Sequence, residues 1–134
     1  LGDFAGLAAW ELGAVAIKAA VERAGVPGDA VDEVLMGNCL MAGQGQAPAR
    51  QAVLKAGLPQ SVGAVTLSKM CGSGMRAAMF AHDILKAGTQ DVMVAGGAES
   101  TVSPLGVGGF AAARAHAPCT RHRRERAHAA AAHS

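Results

Sequence analysis

The chain has 134 residues, 51% hydrophobic and 3% aromatic, with a formal net charge of +2. That length suits one domain with a real core. Its apolar content lies in Ala, Gly and Val, which suits helices packed tightly on a sheet.

No apolar run reaches the roughly 18 residues of a membrane span, so no membrane partner is expected. The first residues, LGDFAGLAAW, lack the basic start of a signal peptide. Leu1 reads as a truncated start. The cysteines Cys39, Cys71 and Cys119 are widely spaced. They form neither a disulfide framework nor a paired metal motif, and a reducing cytoplasm is the expected location. Charge is divided unevenly. Residues 1–110 hold seven Lys/Arg against nine Asp/Glu, and residues 111–134 hold five Arg against one Glu. The basicity therefore belongs to the tail.

In chain order, Glu11 to Ala24 has helical spacing, with Leu12, Val15, Ala16, Ala19 and Ala20 on one face. Gly25 reads as its terminator, and Pro27 blocks continuation. Glu33 to Leu40 reads as a short buried strand that contains Cys39, there a small buried filler. AGQGQ is a glycine-rich loop. Pro48 opens a second helix, closed by Gly57 and Pro59. GAVTLSKM reads as a β-branched strand. Gly72 to Ala87 reads as a third helix, with Met75, Ala78, Met79, His82 and Leu85 at helical spacing. DVMVAGG is a continuous apolar strand of the kind parallel sheets bury on both faces. The order αβαβαβ, with crossovers this long, implies parallel strands and right-handed connections. Residues 1–110 form the expected domain. Residues 111–134, rich in Ala, Arg and His, are expected to be disordered.

Cys71 sits where a strand ends and a helix begins, in SKMCGSGM. Three readings are open. It is an inert buried thiol. It lies beside a dinucleotide loop, since GSGMRA matches G-x-G-x-x-A and Glu99 lies near the end of the next strand, where a ribose-binding acid sits. Or it is a nucleophile. First-turn N–H groups and the helix dipole favour a thiolate there, Gly72 and Gly74 leave room for a carbonyl, and a strand-to-helix turn projects the sulfur. His82 lies on a helix face and reads as packed or surface rather than catalytic.

The blocks GNCLMAGQGQAPARQAVLKAGLP, VTLSKMCGSGMRAAM and VMVAGGAES, in that order over residues 1–100, resemble the thiolases. These are the acetyl-CoA acetyltransferases and 3-ketoacyl-CoA thiolases. The resemblance implies an incomplete first half of the layered α/β/α thiolase fold, with a mostly parallel sheet. Cys71 matches the acylated nucleophile, and its backbone N–H matches an oxyanion donor. Gln46 matches a glutamine beside that cysteine, in a loop that also takes part in the family's dimer contact. The implied substrates are acyl-CoA and acetyl-CoA, with no metal or redox cofactor, in an enzyme that is a homo-oligomer when intact. Acyl transfer between thioesters is nearly isoenergetic, so a thiolate serves well as a temporary carrier.

The family's proton-moving histidine and second cysteine sit in G-H-P and C-x-G-G-G motifs of the second half. Neither motif occurs here. The implied CoA-binding insert is also missing, so this chain alone is expected to turn over slowly or not at all. Residues 104–115, PLGVGGF onward, resemble the β-ketoacyl-acyl-carrier-protein synthases instead. The alternatives are a synthase-like condensing enzyme, or an inactive fragment that acts as a dimerising module. A zinc site from His116, Cys119, His122 and His128 has no standard spacing. A nucleic-acid role for Arg121, Arg123, Arg124 and Arg126 lacks aromatic interleaving, so no nucleic-acid partner is expected.

Overall fold

The structure is a computed structural model and describes residues 3, 4 and 6–100. Four turns of helix come first, α1 (Ala9–Ala24), and a single 3-10 turn follows at Gly28–Ala30. Then come β1 (Glu33–Gly37), α2 (Pro48–Lys55), β2 (Gly63–Leu67), α3 (Ser73–Ala87) and β3 (Met93–Gly97). The three strands are parallel, in the order β2-β1-β3, as the crossover lengths predict. The tail from residue 111 and the end of the expected 1–110 domain lie outside the described residues. No helix among those described is long and apolar enough to cross a membrane.

Local signals set the element ends. Gly25 and Gly88 close α1 and α3 in the left-handed conformation, at φ of 66° and 70°. Glu11 Oε2 accepts from the Ala8 N–H at 3.0 Å, and Gln44 Oε1 accepts from the Ala9 N–H at 2.9 Å, so side chains satisfy the free start of α1. Pro48 opens α2, and Thr66 Oγ1 in β2 accepts from the Ala49 N–H at 3.0 Å.

β1 lies in the middle and is covered on both faces. Val34 and Met36 point to one face and Leu35 to the other, as strand alternation requires. On the first face, α1 and α2 bury Ala14, Ile17, Val21, Ala52 and Val53 against β1. On the second, α3 lays Ala77 and Ala81 over Leu35. The path runs from β1 outward to β2, then back past β1 to β3. Crossovers of one hand that run in opposite directions place their helices on opposite faces, which is the arrangement seen.

Two helix faces differ from their sequence reading. In α1 the buried stripe is Ala9, Gly13, Ala14, Ile17 and Val21, while Val15 is 71% exposed and Ala16 and Ala20 are exposed. In α3 the inward residues are Ser73, Ala77 and Ala81, and Met75 and Met79 are 68% and 50% exposed. Ala78, His82 and Leu85 are exposed as well. The reason is separation: the first turns of α3 approach the sheet so closely that small side chains fill the space there, and Ile84 packs in only further along the helix. Its large apolar residues form an outward face instead. The strand expected over Glu33 to Leu40 stops at Gly37, so Cys39 is a loop residue and not a strand filler.

The opening ends of β1 and β3 are tied by Asp32. Its carboxylate accepts from the N–H groups of Asp91 and Val92 at 2.8 and 2.9 Å. The Val92 bond, then the Asp91 bond, hold its carboxyl below the ordinary value of 3.8. A depressed carboxyl contributes stability that is present above its unfolded value and lost as pH falls through its folded one. Asp32→Asn is therefore expected to lower the melting temperature at neutral pH. The gap between variant and parent should close on acidification below about pH 4. A gap that stays constant from neutral pH to about pH 2 would contradict this.

Candidate active site

Helices on opposite faces create a crevice at the C-terminal ends of the strands. The loop after β1 leaves towards α2 and the loop after β2 leaves towards α3, so the chain parts between them. Open parallel sheets bind ligands at such switch points. Here a groove of about 360 Å³ opens at that point. Cys39 and Leu40 line it from the β1 loop, Met70 and Cys71 from the β2 turn, and Ala98 and Glu99 from the end of β3. Most of the lining is apolar, with an acid and two thiols added.

Three glycines hold the β2–α3 turn over this edge. A Cβ on Gly37 would overlap the backbone of Ser73 and Gly74, and one on Gly97 would lie 3.1 Å from the Gly74 Cα. A Cβ on Gly74 would in turn meet the Gly97 backbone at 3.4 Å. The first turn of α3 therefore sits directly on the strand ends, backbone on backbone. Gly74 serves this packing and also lines the groove, and a Cβ on Gly72 would make only an ordinary contact with the Lys69 carbonyl at 3.5 Å.

Cys71 stands on an elbow. Met70 has φ of 47°, a left-handed conformation that costs an unbranched non-glycine residue of order 1 kcal/mol. Buried Ser73 holds the turn. Its hydroxyl accepts from the Lys69 N–H at 2.8 Å and donates to the Met70 carbonyl at 2.6 Å. The Gly72 and Ser73 N–H groups donate to the Lys69 and Met70 carbonyls at 3.0 and 3.1 Å. These two N–H groups therefore do not point at the sulfur, contrary to the sequence expectation. The helix begins at Ser73, two residues after the cysteine. The Cys71 N–H itself has no hydrogen-bond acceptor among the described residues. Cys71 is exposed, so the inert-buried reading fails.

Other predicted residues lie elsewhere. Gln46 is exposed, outside the groove lining, and its carbonyl accepts from Gln51 Nε2 at 2.7 Å. His82 is exposed on α3, with Nδ1 3.2 Å from Asp83 Oδ1, and does not line the groove. Glu99 accepts from the N–H of Cys39 at 2.8 Å and of Leu40 at 3.1 Å, so its carboxylate is engaged by protein and not free for a ribose. Among the described residues no three His, Cys, Asp or Glu gather in metal-binding geometry, and the tail's zinc and nucleic-acid readings lie outside them.

The sequence reading missed Cys39 as a groove thiol. The Cys39 Sγ lies 4.0 Å from the Met70 Sδ. Removal from water, then the Glu99 charge, then Cys71 push the Cys39 thiol above its usual value of 9.0. The available signal was position. Cys39 and Glu99 both follow the C-terminal ends of parallel strands, where sites form.

The site thus lies on a parallel α/β unit that presents an exposed cysteine on a strand-to-helix elbow. The family described as "Thiolase, N-terminal domain" matches residues 1–118, and this chain belongs to it. That match runs past Ser100, over the stretch that resembles the synthases. The chain is 60% identical over 99 residues to the mitochondrial acetyl-CoA acetyltransferase of Xenopus tropicalis, covering 74% of this chain and 24% of that protein. It is 55% identical over 100 residues to the human mitochondrial acetyl-CoA acetyltransferase, covering 75% and 23%. It is 56% identical over 99 residues to the acetyl-CoA acetyltransferase of Cupriavidus necator, covering 74% and 25%. A thiolase from Ascaris suum, solved in complex with coenzyme A, superposes with a TM-score of 0.74 at 35% identity, covering 76% and 27%. The chain thus spans about a quarter of the length of these relatives. The mitochondrial relatives overturn the expectation of a cytoplasmic location. Free thiols report a reducing environment and do not say which compartment supplies it.

If the glycine contact sets the site, Gly37→Ala should destabilise the chain by about 2 kcal/mol or more, measured by urea unfolding. Gly6→Ala, where a Cβ meets nothing within 4 Å, should stay within about 0.5 kcal/mol of the parent. Equal effects at both positions would contradict the packing role.

Proposed function

We propose that this chain is the nucleophile-bearing part of a thiolase-type acyltransferase that moves acyl groups between CoA thioesters. The observation that carries this is Cys71 itself, exposed on a strained elbow and facing a largely apolar groove. The Cys71 thiolate attacks the thioester carbonyl and a tetrahedral oxyanion forms. The Cys71 N–H, which has no acceptor among the described residues, is a suitable donor to that oxygen. Collapse expels the CoA thiolate, which takes up a proton, and leaves an acyl-thioester on Cys71. The acyl chain rests against Leu40 and Ala98, and a second acyl group or CoA then accepts it.

The acetyl-CoA acetyltransferase relatives and the CoA-bound thiolase support acyl-CoA and acetyl-CoA as the substrates. A CoA thioester chemistry of this kind calls for no metal or redox cofactor. Among the described residues no histidine lines the groove. The proton-moving histidine and second cysteine belong, on the family pattern, to the second half of the fold. Gln46 lies outside the groove lining, so its substrate-adjacent place rests on the family pattern alone. Its dimer role and a homo-oligomeric assembly belong to the same reading, as does a part in lipid and fatty acid metabolism. The mitochondrial relatives support a mitochondrial setting. A second reading, an inactive fragment that docks to a partner, draws on the exposed face of Met75, Met79 and Phe80.

The test is intact-mass spectrometry after incubation with acetyl-CoA. The chain should gain the mass of one acetyl group, lost on hydroxylamine treatment and absent in Cys71→Ser. A folded chain that takes up no acetyl, or a Cys71→Ser variant that takes up as much, would overturn the acyltransferase reading in favour of the docking one.

A further inference from the structure

Two thiols face one groove, and the acyltransferase reading makes Cys71 the acyl carrier. Cys39 and Cys71 approach it from different strands, at the ends of β1 and β2. What separates them is a carboxylate from the third strand. Glu99 reaches across from the end of β3, with Oε2 2.8 Å from the Cys39 N and Oε1 3.1 Å from the Leu40 N. Oε2 also lies 3.3 Å from the Leu40 N, so both carboxylate oxygens are engaged. Two adjacent backbone N–H groups around one anion form a small cradle, and bonds of this kind to a charged acceptor are about twice as strong as neutral ones. The Ala98 N–H donates to the Gly37 carbonyl at 3.1 Å, which brings the end of β3 up to this loop.

We propose that Glu99 is a positioning residue for this groove: its carboxylate pins the Cys39–Leu40 backbone to the end of β3 and directs electrophiles to Cys71 rather than to Cys39. The claim rests on the acyl-acceptor role of Cys71 for its purpose, though not for its geometry. Two effects act together. The pinned backbone fixes where the Cys39 sulfur sits, beside the Met70 thioether at 4.0 Å. The negative charge beside it also favours the neutral thiol, which is a poor nucleophile. The groups that face Cys39 are Glu99, from the end of β3, and the Cys71 thiol, from the β2–α3 turn. Both act in the same direction. Cys71 stands on a separate turn, which Ser73 and not Glu99 holds.

The experiment labels the chain with iodoacetamide and reads the rates at Cys39 and Cys71 separately by peptide mass. Parent, Glu99→Gln and Glu99→Ala are compared across about pH 7 to 10. In the parent, Cys71 should label first. In both variants the Cys71-to-Cys39 rate ratio should fall several-fold, because Cys39 then reacts faster. The Cys39 labelling curve should move to lower pH, because the opposing charge is gone. Amide hydrogen exchange separates the two effects. Gln keeps an acceptor oxygen, so the Cys39 and Leu40 amides should exchange more slowly in Glu99→Gln than in Glu99→Ala. A ratio unchanged within about twofold in a folded Glu99→Gln, or a pH curve that does not move, would overturn the proposal.

Iodoacetamide needs no CoA, so this outcome is independent of the acetyl-CoA assay. A chain that shows the ratio shift but takes no acetyl would keep the positioning role and lose the acyltransferase reading. A chain that is acetylated at Cys71 with an unchanged ratio would do the reverse.

Discussion

The backbone-on-backbone contact among Gly37, Gly74 and Gly97 is what the rest of this structure depends on. It joins the ends of β1 and β3 to the first turn of α3, with no side chain between them. Closeness there has consequences along the whole helix. α3 lays Ala77 and Ala81 on the sheet, with Ile84 half-buried at their edge, and its methionines turn outward. It also fixes where the β2–α3 turn lies, and so where Cys71 lies. A cysteine on a loop of its own would wander. On this elbow it is held by Ser73 and by a left-handed Met70, a conformation that survives only because its surroundings over-determine it.

The groove is a product of topology before it is a product of chemistry. Helices on opposite faces force the loops after β1 and β2 apart, and the gap forms whatever residues line it. Chemistry then enters from three strands at once: a thiol and a backbone cradle after β1, a thiol on an elbow after β2, and a carboxylate after β3. Each group is local to one strand end, yet none is near another in sequence. Glu99 and Cys39 are 60 residues apart. The site is thus only as precise as the sheet register that aligns Gly37 with Leu67 and Gly97.

Much of this was legible in the sequence, for reasons that are themselves physical. Gly25, Gly88, Pro48 and Pro27 marked helix ends because backbone conformation demands those residue types. The apolar runs around Leu35 and Val94 marked strands, but only β1 is buried on both faces, since β3 lies at the sheet edge and is half-buried. The helix faces were not legible. In α1, alanines stand on all sides, so the true stripe through Ile17 and Val21 carried no more signal than the one through Val15. In α3 the usual assumption, large apolar residues inward, fails because the glycines bring the helix too close for them. Cys39 was misplaced for a related reason: an apolar run continues past Gly37, but the strand does not, since the close approach of α3 ends it there. The thiolase blocks gave Cys71 its expected role. They gave no hint of the Glu99 clamp, which exists only once β3 lies beside β1.

A parallel sheet with a tightly seated helix places a thiol at a strand end. That placement is the central claim, and a crystal structure of the chain after incubation with acetyl-CoA tests it most directly. The expected result is acetyl density continuous with the Cys71 Sγ, with the carbonyl oxygen towards the Cys71 N–H and the methyl group between Leu40 and Ala98. Acetyl density on Cys39, or an unmodified Cys71 turned out of the groove, would contradict it.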